Sequence, residues 1–330
     1  MKLSLRSLLL SAFALAGPGL FAAEPAKPAE LRLDYATYSP SSLVLKKFGW
    51  LEEDLKADGV AVRWLFSAGS NKANELVSSN SSDFGSTAGS AALIARTNGV
   101  PLRTIYVSSR PEWSQILVKG DSPLKTVADL RGKKIAATRG TDPFTLTLRG
   151  LRDAGLTQKD VELVPLQHSD GYLAWQRGNV DAWAALDPFL ATALLKDGAR
   201  PLFANVEYNS FSVLNVREAF LAEYPTYVHR VIKAYEKARL WIIAHPDEAA
   251  AILAEAAKID VAIARNQLTQ RTGLDPADGV GIPGPKLRAA LEGVIPILVG
   301  EKIAKAGSDP AKSLAELIDP APATAALATK

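Results

Sequence analysis

From Leu31 to Pro188 the sequence alternates short apolar runs with amphipathic segments of helical period, and this alternation limits the fold more than any other feature. Leu31 to Tyr35, Val60 to Phe66, Asp83 to Thr87 and Leu102 to Val107 read as strands. Between them, Leu43, Val44, Phe48 and Leu51 mark a first helix. Further helices are expected from Ser70-Asn71 to about Val77 and from Ser90 to about Asn98. The theme restarts with strands at Ser114 to Lys119, Lys133 to Thr138, Val161 to Leu166 and Val180 to Leu186. Asp142-Pro143 and Asp187-Pro188 each place a capping residue before a proline, a strong helix start. Strand–helix units of this length predict an α/β fold with mainly parallel sheets.

The stretches Asn71 to Asp83 and Asp170 to Asp181 share a plan of polar cap, two-turn helix, small-residue loop and aspartate before an apolar strand. That suggests two lobes built from one unit. Ser109 to Trp113 and Asn209 to Leu214 are the expected crossings between them. Beyond residue 215 the chain turns helical, with one long helix from Phe220 to Ala244, a break at His245-Pro246-Asp247 and more helices to Ile318. The expected division is residues 30–111 with 212–318 as the first lobe, 112–211 as the second, and an Ala/Pro/Thr tail at 319–330 read as disordered.

Lys2 and Arg6, the apolar stretch Leu8 to Leu15, and Ala22-Ala23 after Gly17-Pro18-Gly19 form the three-part pattern of a secretory signal peptide over residues 1–23. The run is too short to span the roughly 30 Å of a bilayer core. Removing Lys2 and Arg6 leaves 36 basic residues against 35 acidic, which argues against a nucleic-acid partner. Cysteine is absent, which excludes disulfides, thiolate metal sites, a lipoprotein anchor and a cysteine nucleophile. Gly279 to Gly284 matches G-x-G-x-x-G in letters but follows a polar turn instead of a strand. Gly85 to Gly89 resembles a nucleophile elbow with Thr87 where serine is required. Of three histidines only His168, in a strand-to-helix loop, stands where chemistry could use it. No metal, cofactor or catalytic residue is expected.

Binding is the better reading. In open α/β sheets ligands lie beyond the carboxyl ends of strands, near helix N-termini. Those positions here hold Ser39 and Ser41, Ser70 and Asn71, Thr87, Ala88 and Gly89, Arg139, Thr141 and Asp142, and Asp187. Hydroxyls and orphan N–H groups of this kind suit an oxyanion, although the same residues also serve as plain helix caps. At the first crossing, Arg110 is a candidate to pair the anion. Trp113 either walls the apolar part of a ligand or packs the hinge.

Asp83-Phe84-Gly85-Ser86-Thr87, the run from Ser122 to Ala136, Gly140-Thr141-Asp142 and Gly178 to Ala184 with Asp187-Pro188 resemble the substrate-binding proteins of ABC importers for aliphatic sulfonates. His245 to Ala250 is similar to the wider sulfonate, nitrate and taurine group. The resemblance implies a type II periplasmic binding fold: two α/β lobes joined by a two-strand hinge, with the ligand cleft between them. It also implies a monomer in the periplasm that delivers a small organic anion to a membrane permease and its ATPase. Ala88-Gly89-Ser90 departs from the pattern, since many relatives carry an acidic residue there. An enzyme on the same fold, of the pyrimidine-synthesising kind, and a secreted sensor are the competing readings.

Overall fold

A computed structural model describes residues 26–328. The signal-peptide reading at 1–23 lies outside the described residues. The strands are β1 Glu30–Tyr35, β2 Ala61–Phe66, β3 Phe84–Ala88, β4 Leu102–Ser109, β5 Ser114–Lys119, β6 Lys134–Ala136, β7 Glu162–Val164, β8 Ala182–Leu186, β9 Ala199–Phe203 and β10 Ser212–Arg217. β1 and β2 pair in parallel, β10 lies between β3 and β4, and the remaining five run in the order β7-β6-β8-β5-β9.

The chain passes between these sheets over residues 110–113 and 204–211, which overlap the expected crossings Ser109 to Trp113 and Asn209 to Leu214. β4 ends at Ser109 and β5 starts at Ser114, while β9 ends at Phe203 and β10 starts at Ser212. β10 runs antiparallel to both β3 and β4, and β5 runs antiparallel to both β8 and β9. The expectation of mainly parallel sheets is therefore corrected. A strand that enters or leaves each sheet at the hinge travels against its neighbours, so only β1–β2, β6–β7 and β6–β8 are parallel.

Period-two patterning loads both faces of each sheet. In the second lobe Ile116, Val118, Ala182 and Ala184 face a cluster with Phe144, Leu148 and Leu151. Leu117, Trp183 and Ala185 face the other side with Trp175 and Leu190. In the first lobe Leu31, Leu33, Phe84, Ile105 and Tyr106 pack under the helix Pro225–Ala244. Val77, Leu93, Val107 and Val213 pack against Leu287, Leu291 and Leu314. The helix Ile295–Gly300 serves both lobes: Leu298 joins the first-lobe cluster and Ile297 the second.

Two helical expectations change. The long helix is interrupted at Tyr224-Pro225, because proline lacks an N–H and disfavours helical geometry in the residue before it, here at φ −128° and ψ 52°. The tail expected to be disordered is a helix, Ala321–Ala328. Asp319 Oδ1 accepts from the Ala321 N–H at 3.1 Å, and Ala323 and Ala326, three apart, are buried in the cluster under Pro225–Ala244. Truncation after Asp319 removes these buried groups, worth roughly 2–4 kcal/mol at ~0.8 kcal/mol per buried carbon. Thermal denaturation of the truncated chain is expected to show a Tm several degrees lower. An unchanged Tm would mean that the tail contributes nothing.

Candidate functional site

The loops that follow β1, β2, β3, β6, β7 and β8 meet at a seam between the lobes. From the first lobe comes Ser39, whose buried Oγ has no hydrogen-bond partner, at the start of the helix Pro40–Phe48, with buried Ser41 in its first turn. Ser70 Oγ accepts from the Ala88 N–H at 3.0 Å and thereby holds the end of β3. Asn71 reaches furthest across. It borders a cavity of about 290 Å³ with Thr138, Arg139, Gln167 and Asp170 of the second lobe, and its buried Oδ1 is unpartnered. Arg139 stands exposed at that cavity. Gly140, at φ +73°, needs the freedom of glycine, and a Cβ there would lie 3.6 Å from Asn71.

His168 closes the seam against Gly69, where a Cβ would lie 3.1 Å from the imidazole. Thr138 Oγ1 donates to the Leu166 carbonyl at 2.7 Å, so its contact of 3.2 Å with His168 Nδ1 requires the ring N–H to be on Nδ1. Nε2 is then a bare acceptor, buried and unpartnered. Burial pushes the imidazole down to about 3, so it is neutral.

Trp113 packs with Ala36, Tyr38, Ala88, Ala91 and Leu186, an apolar cluster drawn from both lobes and the hinge. Its ring meets Tyr38 edge-on at 6.2 Å, and its Nε1 donates to Asp142 Oδ2 at 2.8 Å. Asp142 is a junction. Its carboxylate also accepts from Ser90 Oγ at 2.8 Å, from the Ser210 N–H at 2.8 Å and from Ser210 Oγ at 2.5 Å. Burial raises its pKa, opposed by these donors.

Several expected contacts are thus committed elsewhere. All of the Asp142 donors come from the protein, and Thr141, instead of Asp142, is the N-cap residue of the helix Asp142–Asp153. Thr141 Oγ1 donates to the Thr138 carbonyl at 2.6 Å. Asp187 is held by Arg271 Nε at 2.9 Å and Nη2 at 3.2 Å. Thr87 Oγ1 donates to the Ala88 carbonyl at 2.9 Å and accepts from Asn215 Nδ2 at 2.7 Å. The Gly89 N–H bonds to the hinge carbonyls of Ser210 and Phe211, both at 3.1 Å. Arg110 is not at the seam; it pairs with Glu207 at 2.6 Å and lines a different cavity. The glycine-rich run at 279–284 forms an edge bridge between Gly281 and Val107.

Beneath the seam lies a network that sequence reasoning missed. Asp34, fully buried, accepts from Ser67 Oγ at 2.6 Å and from the Ser86 N–H at 2.7 Å. Tyr38 OH meets Ser67 Oγ at 3.0 Å and donates to the Ser86 carbonyl at 3.0 Å, and Ser86 Oγ lies 3.2 Å from Tyr235 OH. Asp34 carries no distinctive sequence mark, because β1 also holds the charged residues Glu30 and Arg32. Among the described residues, no group of three or more His, Cys, Asp and Glu is placed to hold a metal, and no helix is long and apolar enough to cross a membrane.

The family model described as NMT1/THI5 like matches residues 47–249. The chain belongs to the NMT1/THI5-like family. It is 30% identical over 273 residues to the Escherichia coli (strain K12) protein named "Putative aliphatic sulfonates-binding protein", covering 82% of this chain and 83% of the relative. It is 28% identical to the Taurine-binding periplasmic protein of the same organism, covering 75% of each. Among solved structures, the periplasmic aliphatic sulphonate binding protein SsuA from Escherichia coli superposes with a TM-score of 0.75 at 25% identity, covering 89% of this chain and 93% of that one. The alkanesulfonate-binding protein SsuA from Xanthomonas axonopodis pv. citri, bound to MOPS, has a TM-score of 0.75 at 23% identity over 87% and 98%. The desulfurization enzyme DSZB shares the fold at a TM-score of 0.61 and 19% identity, covering 91% and 99%. Family and fold therefore agree on two α/β lobes of the periplasmic binding kind.

Burial pushes the Asp34 carboxyl up to about 6 from its ordinary 3.8, against the opposing hydrogen bonds of Ser67 and Ser86. A carboxyl raised in the fold stabilises most below its unfolded pKa and loses that contribution as pH rises through the folded value. Relative to Asp34→Asn, the wild-type chain is expected to lose up to roughly 3 kcal/mol between pH 4 and 6, at ~1.36 kcal/mol per unit. Denaturant unfolding of both proteins across that range measures it; parallel curves would contradict the buried, uncompensated carboxylate.

Proposed function

We propose that this chain is the periplasmic solute-binding component of an ABC importer. It takes up a small organic anion of the aliphatic sulfonate class in the seam and delivers it, as a monomer, to a membrane permease and its ATPase. Family membership and the names of its relatives support the ligand class. The single structural observation that carries the reading is Ser39 Oγ, buried without a partner at a helix N-terminus beyond the carboxyl end of β1.

The chemistry of the seam fits a monoanion held without a chemical step. A sulfonate offers only acceptor oxygens, and the helix starts at Pro40 and Asp142 bring first-turn N–H groups and dipole ends to the loops after β1 and β6. Turning the Asn71 amide over would present its Nδ2 as a further donor. Asp187 is neutralised by Arg271, whereas the Asp142 oxygens are occupied by neutral donors that leave its charge in place. Neutral donors also release a ligand at lower cost than a buried ion pair, whose separation strands a charge. Trp113 and Tyr38 supply an apolar wall for the carbon chain. The Thr138–His168 contact at the seam is not an activated pair, because the threonine proton goes to the Leu166 carbonyl and the facing Nδ1 carries a proton of its own; the chain also has no cysteine.

Ser39→Ala tests the site. An orphan hydroxyl contributes nothing to the empty protein, so the variant is expected to keep or slightly raise its Tm without ligand. Calorimetric titration with ethanesulfonate is expected to show about 5- to 100-fold weaker binding, the equivalent of ~1–3 kcal/mol for one buried hydrogen bond. Equal affinity in variant and wild type would remove Ser39 from the site.

A further inference from the structure

We propose that a second cavity, formed where both crossings meet the flanking helices, binds a small oxyanion of the phosphate class. The cavity has a volume of about 380 Å³ and is lined by Arg110, Arg149, Glu207, Asn209, Phe211 and Lys286 with two alanines. No residue lines both this cavity and the one at Asn71, so the two sites are separate.

Arg149 carries the inference. It is 9% exposed, and its Nε and Nη1 are buried with no hydrogen-bond partner. Its Cζ lies 3.6 Å from the centroid of the Tyr208 ring, a cation–π contact that gives neither nitrogen a hydrogen-bond acceptor. The neighbouring acids are engaged elsewhere. Glu207 pairs with Arg110 at 2.6 Å, Asp278 lies 3.6 Å from the same guanidinium, and Asp153 accepts from Tyr208 OH. Lys286 is exposed and reaches the Ala277 carbonyl at 2.7 Å. Three cations therefore border the cavity, and the most buried of them makes no ion pair, with Asp142 and Asp153 acting on it only through space. Burial depresses its pKa, in keeping with an unpaired cation.

A buried guanidinium without a carboxylate is costly, and its planar fork of donors matches an oxyanion better than any neutral ligand. The placement gives such an anion a mechanical consequence. Arg149 belongs to the helix Asp142–Asp153, whose first residue ties down the hinge, and Lys286 to the first-lobe helix Pro285–Glu292. Arg110, Asn209 and Phe211 belong to the two crossings themselves. An oxyanion between them links both lobes across the hinge and biases the angle at which they stand.

Titration of inorganic phosphate into the full chain at constant ionic strength, with chloride as the control, tests this. Saturable binding with a rise in Tm is expected for the wild type and for Ser39→Ala, with binding about tenfold or more weaker in Arg149→Met. Absence of saturable phosphate binding, or equal binding in a folded Arg149→Met, overturns the proposal. Should Arg149→Met fail to fold, the exposed Lys286→Met decides instead: several-fold weaker phosphate binding supports the site and unchanged binding overturns it. Ethanesulfonate titration of the same variants reports on the seam alone, so a failure there is distinguishable from a failure here.

Discussion

Four hydrogen bonds to the Asp142 carboxylate hold this molecule's two halves in register. Ser210 belongs to the second crossing, Trp113 to the end of the first, and Ser90 to the first-lobe helix that follows β3. Asp142 itself starts a second-lobe helix. One buried carboxylate therefore joins both crossings and a helix of each lobe. The cost of burying the charge is offset only while all four donors stay in place, because no cation compensates it. Gly89 belongs to the same junction: a Cβ there would lie 2.3 Å from the Ser210 carbonyl, so the close approach of β3 to the hinge needs a residue without a side chain.

The molecule treats its buried carboxylates in two ways. Asp83, at the amino end of β3, is gripped by Arg32 at 2.7 Å and Arg217 at 2.8 Å, and Asp187 by Arg271. Asp34 and Asp142, which face the seam and hinge, are held by neutral donors alone. The Asp83 pairs fasten a strand end inside the first lobe, whereas the Asp187–Arg271 pair joins the loop after β8 to a first-lobe residue, beside the neutral hydrogen bonds of Asp142.

Much of this was legible in the sequence because it is written locally. Apolar runs of period two, the Asp-Pro pair at Asp142 and the Ser/Thr/Gly loops located most of the strands and put the candidate binding loops at their carboxyl ends. Both crossings were visible from where the pattern restarts. What escaped depends on partners far along the chain. β9 carries Pro201, is an edge strand and shows little alternation, so its pairing with β5 has no local mark. The tail reads as disordered until the Pro225–Ala244 helix supplies a surface for Ala323 and Ala326. Arg110 was expected at the seam because a crossing is a sensible place for an anion ligand, but it lies at the other cavity beside Glu207, 97 residues away. Asp187 is engaged by an arginine 84 residues later, and Asp34 by serines 33 and 52 residues later.

Where an alkanesulfonate sits on the molecule decides its function. A crystal structure of the full chain grown with saturating ethanesulfonate measures this directly. The sulfonate oxygens are expected between the Ser39–Ser41 loop and the Gly140–Thr141 loop, with Ser39 Oγ within hydrogen-bond distance and the ethyl group against Trp113 and Tyr38. An empty seam at saturating ligand, or a sulfonate bound only elsewhere on the molecule, would contradict it.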